Sequence, residues 1–401
     1  FHYWLVESEG SVATDPVLLW YNGGPGASSL FGLLQELGPF LLNDASYDAR
    51  FNMTGVPSPK RNPFSWSRAA TVVAIDSPAP TGFSYCDPPG VQGDGFACGA
   101  WNDTSVADAN YRVITRLMND AFPNLLSNEL FIVGESYAGV YVPMFVERLL
   151  DNPQGLNLAG FAVGDGCIGT EVLCGTVTRY RQGPWYTLEF LHGHGQFSNE
   201  LYDAIRADCQ EADLRSGALT PRCRSLVDQV DEEVGGFFGY SLYDDCVYSE
   251  PFAVAGVAGL EGGRGAENGY PCPGKAMRVW LNRTDVREAI GVPPDAFFFD
   301  ADNAAGMRYL STEPDVRRVY ARAVSAGLRT LVYNGDTDPG INSFVTQDHF
   351  VSWAARAGLN RTQRWRPWTL DGRQRVGGYV IEWEGGAFSY LTIRGSGHMV
   401  P

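Results

Sequence analysis

Three short segments carry the side chains of covalent serine chemistry. Gly134-Glu135-Ser136-Tyr137-Ala138-Gly139, Asn334-Gly335-Asp336-Thr337-Asp338 and Gly395-Ser396-Gly397-His398 follow one another in the order nucleophile, acid, histidine. A serine hydroxyl is a poor nucleophile until a base takes its proton, and an imidazole does this when a carboxylate fixes its tautomer. Each segment comes directly after a run that reads as a buried strand, so Ser136 would stand on a sharp strand-to-helix turn. The pattern Gly-x-Ser-x-Gly is met loosely, with Ala138 in the second glycine's place and Gly139 one residue later. Alanine also leaves room for such a turn, although Ser136 taken alone fits a helix N-cap as well. His398 follows a strand and lies in a glycine-rich loop near the end of the chain, a setting that neither His2 nor His349 shares. Residue types leave the acid open between Asp336 and Asp338, since both lie in the loop after the strand ending at Tyr333.

A second glycine-rich loop, Asn22-Gly23-Gly24-Pro25-Gly26, follows the run Val17 to Tyr21. Loops at that place supply a backbone N–H to an oxyanion hole, which makes Gly24 and Tyr137 the natural donors. The elements that must position these groups recur along the chain. Strand-like runs at Val17 to Tyr21, Ala70 to Ile75, Leu130 to Val133, Leu158 to Val163, Thr330 to Tyr333 and Tyr390 to Ile393 suit a parallel sheet covered on both faces. The opening Phe1 to Val6 also looks like a strand, and Val106 to Phe122 and Tyr137 to Leu150 read as helices. The rhythm is lost between about Tyr180 and Pro294, which implies an inserted cap over 180–294 between core parts 1–179 and 295–401.

The chain has 401 residues, 44% of them apolar, enough to bury a large core plus an insertion. Acidic residues outnumber basic ones 46 to 30, and the net charge of -16 argues against nucleic acid or anionic lipid as a partner. No run approaches the roughly 20 apolar residues of a membrane span. Both chain ends look trimmed from a longer precursor. The eight cysteines lack a CxxC repeat, which favours disulfides over zinc. Spacing pairs Cys86 with Cys98, Cys167 with Cys174 and Cys209 with Cys223. By chain-entropy reasoning the last bridge would stabilise the cap by about 3 kcal/mol. Sequons at Asn52, Asn102, Asn282 and Asn360 also indicate a secretory-route protein, extracellular or in a vacuolar or lysosomal compartment. The pair His192 and His194 lacks acidic or cysteine neighbours at metal spacing, so no metal and no cofactor is expected.

The blocks Trp20 to Ser29, Gly134 to Gly139 and Gly397-His398-Met399-Val400-Pro401 together resemble the serine carboxypeptidase family. The similarity runs from the first strand to the last residue. It implies an α/β-hydrolase fold with a disulfide-bonded cap, and release of single residues from peptide or protein C-termini. In that family the second acid of the loop is the triad member, so the resemblance selects Asp338 beside Ser136 and His398. It also implies that Asn22, the backbone of Gly23, Glu36 and Glu135 hold the substrate's terminal carboxylate. Two carboxyls sharing a proton can donate to that carboxylate in acid, which implies an optimum at roughly pH 4 to 6, between a raised glutamate pKa and loss of the neutral imidazole, ordinarily near 6.5.

The family pattern pairs Cys246 with Cys272. Ala27 stands where a cysteine bridged to the region after the cap is usual, and Asp295 to Asn303 lacks cysteine too, so one bridge fewer is expected rather than a free thiol. The Gly/Ala-rich stretch Ala253 to Gly269 falls where some relatives are cut into two chains. Acyl-transferring relatives tend to carry Asp in place of Glu135, so the glutamate implies hydrolysis. A catalytically silent partner of other glycoproteins is the reading from another class. A homodimer is compatible with the sequence.

Overall fold

A computed structural model describes residues 1–87, 94–174, 183–243, 276–293, 296–299, 306–372 and 374–401. Its centre is a nine-stranded sheet built from β1 (Tyr3–Val6), β2 (Val17–Tyr21), β3 (Thr71–Ile75), β4 (Leu130–Glu135), β5 (Leu158–Gly164), β6 (Arg329–Gly335), β7 (Arg361–Thr369), β8 (Val376–Trp383) and β9 (Phe388–Ile393). Their order is β1-β3-β2-β4-β5-β6-β9-β8-β7. Strands β3, β2, β4, β5, β6 and β9 run parallel, while β1 joins β3 and β8 joins β9 antiparallel at either side. Parallel pairing needs crossover segments, and these carry the helices α1 (Leu30–Gln35), α2 (Asp103–Arg116), α3 (Ala138–Asp151), α4 (Trp185–Gly193), α5 (Asn199–Asp208), α6 (Glu211–Ser216), α7 (Pro221–Val234), α8 (Arg317–Ser325) and α9 (Ser343–Arg356).

Alternation along a strand explains the two layers of core. Val17, Leu19 and Tyr21 of β2 belong to one apolar cluster with residues of α2, α3, α8 and α9, while Leu18 and Trp20 turn to the other face and share a cluster with Leu30, Leu33 and Leu37. Every residue of β3 is buried, as expected of a strand covered on both sides. The runs read from sequence fall within or overlap these strands, but β7 and β8 were not legible. Most of β7 is exposed and rich in arginine, so it presents no apolar run, and among the described residues it pairs only with β8. Helix α2 starts earlier than its apolar stripe, because Asn102 and Ser105 form a capping box around Asp103. Beyond Arg116 the helix continues as one wide π turn from Leu117 to Ala121.

Helices α4 to α7 lie between β5 and β6 in the chain and keep an apolar cluster of their own, including Phe190, Leu201, Ile205, Leu214, Leu226 and Val230. A disulfide joins Cys209, at the end of α5, to Cys223 in α7. The structure also pairs Cys86 with Cys98 and Cys167 with Cys174, and no cysteine among the described residues is free. Cys246, Cys272 and the Ala253 to Gly269 stretch lie outside the described residues. No helix among the described residues is long and apolar enough to cross a membrane.

Candidate active site

Ser136 sits between the end of β4 and the start of α3 with φ 61°, a left-handed conformation uncommon for a residue with a side chain. Such strain costs on the order of 1–3 kcal/mol and persists where neighbours hold it. Here the Ser136 N–H donates to the Gly164 carbonyl at 3.0 Å, and its own carbonyl accepts from Gly139 and Cys167, each at 2.9 Å. The loose glycine pattern has a steric reason. A Cβ on Gly134 would stand 2.7 Å from the Ala138 Cβ, and one on Gly139 would stand 2.3 Å from the Cys167 carbonyl oxygen. Glycine is therefore needed at 134 and 139, and that leaves space for alanine at 138.

The loop after β2 presses directly on this turn. A Cβ on Gly23 would lie 2.3 Å from the Tyr137 nitrogen and 2.8 Å from the Ser136 Cβ, so only glycine permits the approach. Gly24 takes φ +102°, which glycine adopts without penalty. The loop that carries Gly24 thus lies against the Tyr137 amide and Ser136. Asp76 braces the far end of the loop, accepting from Ser28 Oγ at 2.5 Å and Ser29 N–H at 3.1 Å. Asp103 ties down the Tyr137 side chain, accepting from its hydroxyl at 2.7 Å and from the Tyr309 hydroxyl at 2.6 Å. Neither carboxylate was legible as part of the site, because each acts through backbone and hydroxyl groups distant in sequence.

At the carboxyl ends of β6 and β9 the acid and histidine loops meet. His398 Nδ1 lies 2.7 Å from Asp338 Oδ2, and both side chains are buried. Asp338 Oδ1 accepts from Gly340 N–H at 2.7 Å and Ile341 N–H at 3.3 Å, which orients the carboxylate. Asp336 turns elsewhere and accepts from Gly395 N–H at 2.7 Å. A segment after α7 supports the histidine from beneath, with the Tyr240 carbonyl accepting from His398 N–H at 2.6 Å and Leu242 N–H donating to Thr337 O at 2.8 Å. Sequence reading gave no sign of this support, since the segment carries no motif.

Glu36 and Glu135 are buried side by side under the Gly23 loop. Asn22 donates from Nδ2 to Glu135 Oε1 at 2.7 Å, while its Oδ1 accepts from Trp20 Nε1 at 2.7 Å and Gly32 N–H at 3.0 Å. The amide orientation is thereby fixed. Apart from each other and the Asn22 amide, both oxygens of Glu36 and Oε2 of Glu135 have no hydrogen-bond partner. A proton between the two carboxyls supplies the missing hydrogen bond and removes the like-charge repulsion. Burial raises the pKa of Glu36 to about 7, against the opposing hydrogen bonds of Glu135 and Asn22 and the charge of His398. Burial, and then the Glu36 charge, hold Glu135 well above the usual carboxylate range.

This titration has a stability consequence with a definite sign. The folded chain keeps the Glu36 proton to about 7, whereas the unfolded one releases it near 4.5. Between those values the native state binds more protons, so stability falls as pH rises. In Glu36→Gln the part of that slope due to Glu36 disappears, while Glu135, held up chiefly by burial, keeps its own. From pH 4.5 to 7 the wild type should lose on the order of 3 kcal/mol relative to the variant, read from urea midpoints at both pH values. Parallel losses in the two proteins would refute a shared buried proton.

A sequence profile described as serine carboxypeptidase matches residues 1–401. The chain belongs to the serine carboxypeptidase family. Among its relatives in this family, the lysosomal protective protein of Mus musculus is 31% identical over 437 residues, covering 100% of this chain and 84% of that protein. Serine carboxypeptidase-like 34 of Arabidopsis thaliana is 31% identical over 439 residues, covering 100% and 79%. Among solved structures, a prohormone-processing carboxypeptidase of Saccharomyces cerevisiae superposes with a TM-score of 0.68 at 19% identity, over 100% of this chain and 83% of that one. That likeness establishes the α/β-hydrolase fold.

The remaining residues singled out from the family chain's sequence fall outside the site. The imidazoles of His192 and His194 face different partners. His192 Nε2 meets Asn199 Oδ1 at 2.9 Å, while His194 lies between the carbonyls of Phe190 and Asp336 at 2.7 and 3.1 Å. The sequon residues Asn52, Asn282 and Asn360 are exposed, and Asn102 is half-buried as the cap of α2.

Proposed function

We propose that the chain is an acid-active carboxypeptidase working through an acyl-enzyme on Ser136. In this reading His398, oriented by Asp338, takes the Ser136 proton as Oγ attacks the carbonyl of the last peptide bond. Gly24 and Tyr137 N–H groups stabilise the oxyanion. The C–N bond then breaks, and the imidazolium returns the proton to the leaving amino group. Water activated by the same imidazole releases the shortened peptide. Asn22, the Gly23 backbone, Glu36 and Glu135 receive the terminal carboxylate, so only the last residue is aligned for attack. The observation that supports this most directly is the Glu36 and Glu135 pair. Burying two carboxyls costs stability, and protonated they give the donors that a substrate carboxylate needs. Residues 180–294 act as a cap over the core parts 1–179 and 295–401. The disulfides and the mouse relative's lysosomal name support an acidic compartment on the secretory route.

The test compares a peptide with a free C-terminus and its amidated counterpart at pH 5. The free peptide should shorten one residue at a time and the amide far more slowly; internal cleavage or equal rates would overturn the reading. In Glu135→Gln only Glu36 still carries a carboxyl proton for the substrate, and its loss toward pH 7 leaves none, whereas in the wild type Glu135 keeps its own. KM for the free peptide should therefore rise about 10-fold or more above pH 6, while kcat changes less. An unchanged pH profile of KM would remove the paired glutamates from carboxylate binding.

A further inference from the structure

Beneath the triad lies a further carboxyl that the mechanism above does not use. Asp165 follows β5, is fully buried and holds φ +40°, a left-handed conformation that aspartate tolerates better than most residues. One side of its carboxyl is fully engaged. Oδ1 accepts from Asn334 Nδ2 at 2.9 Å, and Gly335 N–H lies 3.2 Å from Oδ1 and 3.1 Å from Oδ2. The other side faces Asp338, with ligand atoms of Asp165, Asp338 and His398 all within 4.8 Å of one another. Two ionised carboxylates in such contact away from water would repel strongly. Asp338 already accepts from His398 and from two backbone N–H groups, so its charge is the better supported.

We propose that Asp165 is a positioning residue of the active site, which keeps its proton and donates it in a hydrogen bond to Asp338, fixing the carboxylate that orients His398. The inference rests on the serine mechanism proposed above. Burial, then the Asp338 charge, hold Asp165 well above the usual carboxylate range. The titratable groups around it point the same way. Glu135 comes from β4, Tyr333 from β6, Tyr390 from β9, and Asp338 and His398 from the loops above. The only one of these able to carry positive charge is His398, and Asp338 stands against its Nδ1.

The experiment uses an N-acyl amino acid ethyl ester, which has no free carboxylate, so the Glu36 and Glu135 pair does not govern its binding. Wild-type hydrolysis of the ester, lost in Ser136→Ala, is established first; its absence would refute the serine mechanism and not Asp165. In Asp165→Asn, Oδ1 can still accept from Asn334 and Gly335 while Nδ2 donates to Asp338 at every pH. That variant should keep kcat within about 3-fold, and its activity should persist about one pH unit further into the alkaline range than the wild type's. Asp165→Ala should lose about 10- to 100-fold in kcat with KM unchanged. Near-normal kcat in Asp165→Ala, or coincident alkaline limbs for wild type and Asp165→Asn, would overturn the proposal. Should the alanine variant fail to fold, the asparagine profile decides alone.

Discussion

Ser136→Ala should lower kcat for peptide hydrolysis by at least about 10⁴-fold, with KM and thermal stability close to those of the wild type. Removing Oγ leaves no atom to form the acyl-enzyme. What remains is the catalysis due to the oxyanion donors and substrate alignment alone, which elsewhere gives about 10³- to 10⁴-fold over water. The fold should be indifferent, because the Ser136 backbone is held through its N–H and carbonyl to Gly164, Gly139 and Cys167. The strain of φ 61° is already present with serine and alanine adds little to it, so the stability change should stay under about 1 kcal/mol. Single-turnover assays with an activated ester, together with a thermal melt, check both halves. A variant retaining more than a few per cent of kcat would remove Ser136 from the chemistry.

Much of this geometry was legible before any coordinates, and the reasons are specific. Parallel strands buried on both faces write themselves as apolar runs, so β2, β3, β4, β5, β6 and β9 were visible, and the three motif loops are their direct continuations. Edge strand β7 was not, because an arginine-rich strand with most side chains in water has no such signature, and neither was β8, where Gly377, Gly378 and Glu382 interrupt the apolar run. The site's supports were hidden for a different reason. Asp76, Asp103, Asp165 and the Tyr240 to Leu242 segment act on the site through hydrogen bonds that close only after the sheet is assembled. No local pattern marks a carboxyl for that work. The choice between the two aspartates is of this kind: two residues apart in one loop, they are indistinguishable by type, yet one meets the imidazole and the other a backbone amide.

That difference makes Asp338→Asn the more damaging exchange, with an expected loss of about 10⁴-fold in kcat, against at most a few-fold for Asp336→Asn. In the wild type, Asp338 Oδ1 accepts from Gly340 and Ile341 N–H while Oδ2 faces His398 Nδ1. An asparagine here must keep its one oxygen toward the two N–H groups, since turning the NH₂ to them would set donor against donor. Its Nδ2 then donates to Nδ1 of His398. That forces the imidazole proton onto Nε2, the atom that should receive the proton of Ser136, and the base is lost. The imidazolium that follows attack loses its counter-charge as well. Asp336→Asn raises no such conflict, because its Oδ1 can go on accepting from Gly395 N–H. The pH–rate profiles of the two variants separate the causes. Asp338→Asn should regain activity only as hydroxide takes over the base's role at high pH, whereas Asp336→Asn should follow the wild-type curve. The reverse order of damage would transfer the orienting role to Asp336.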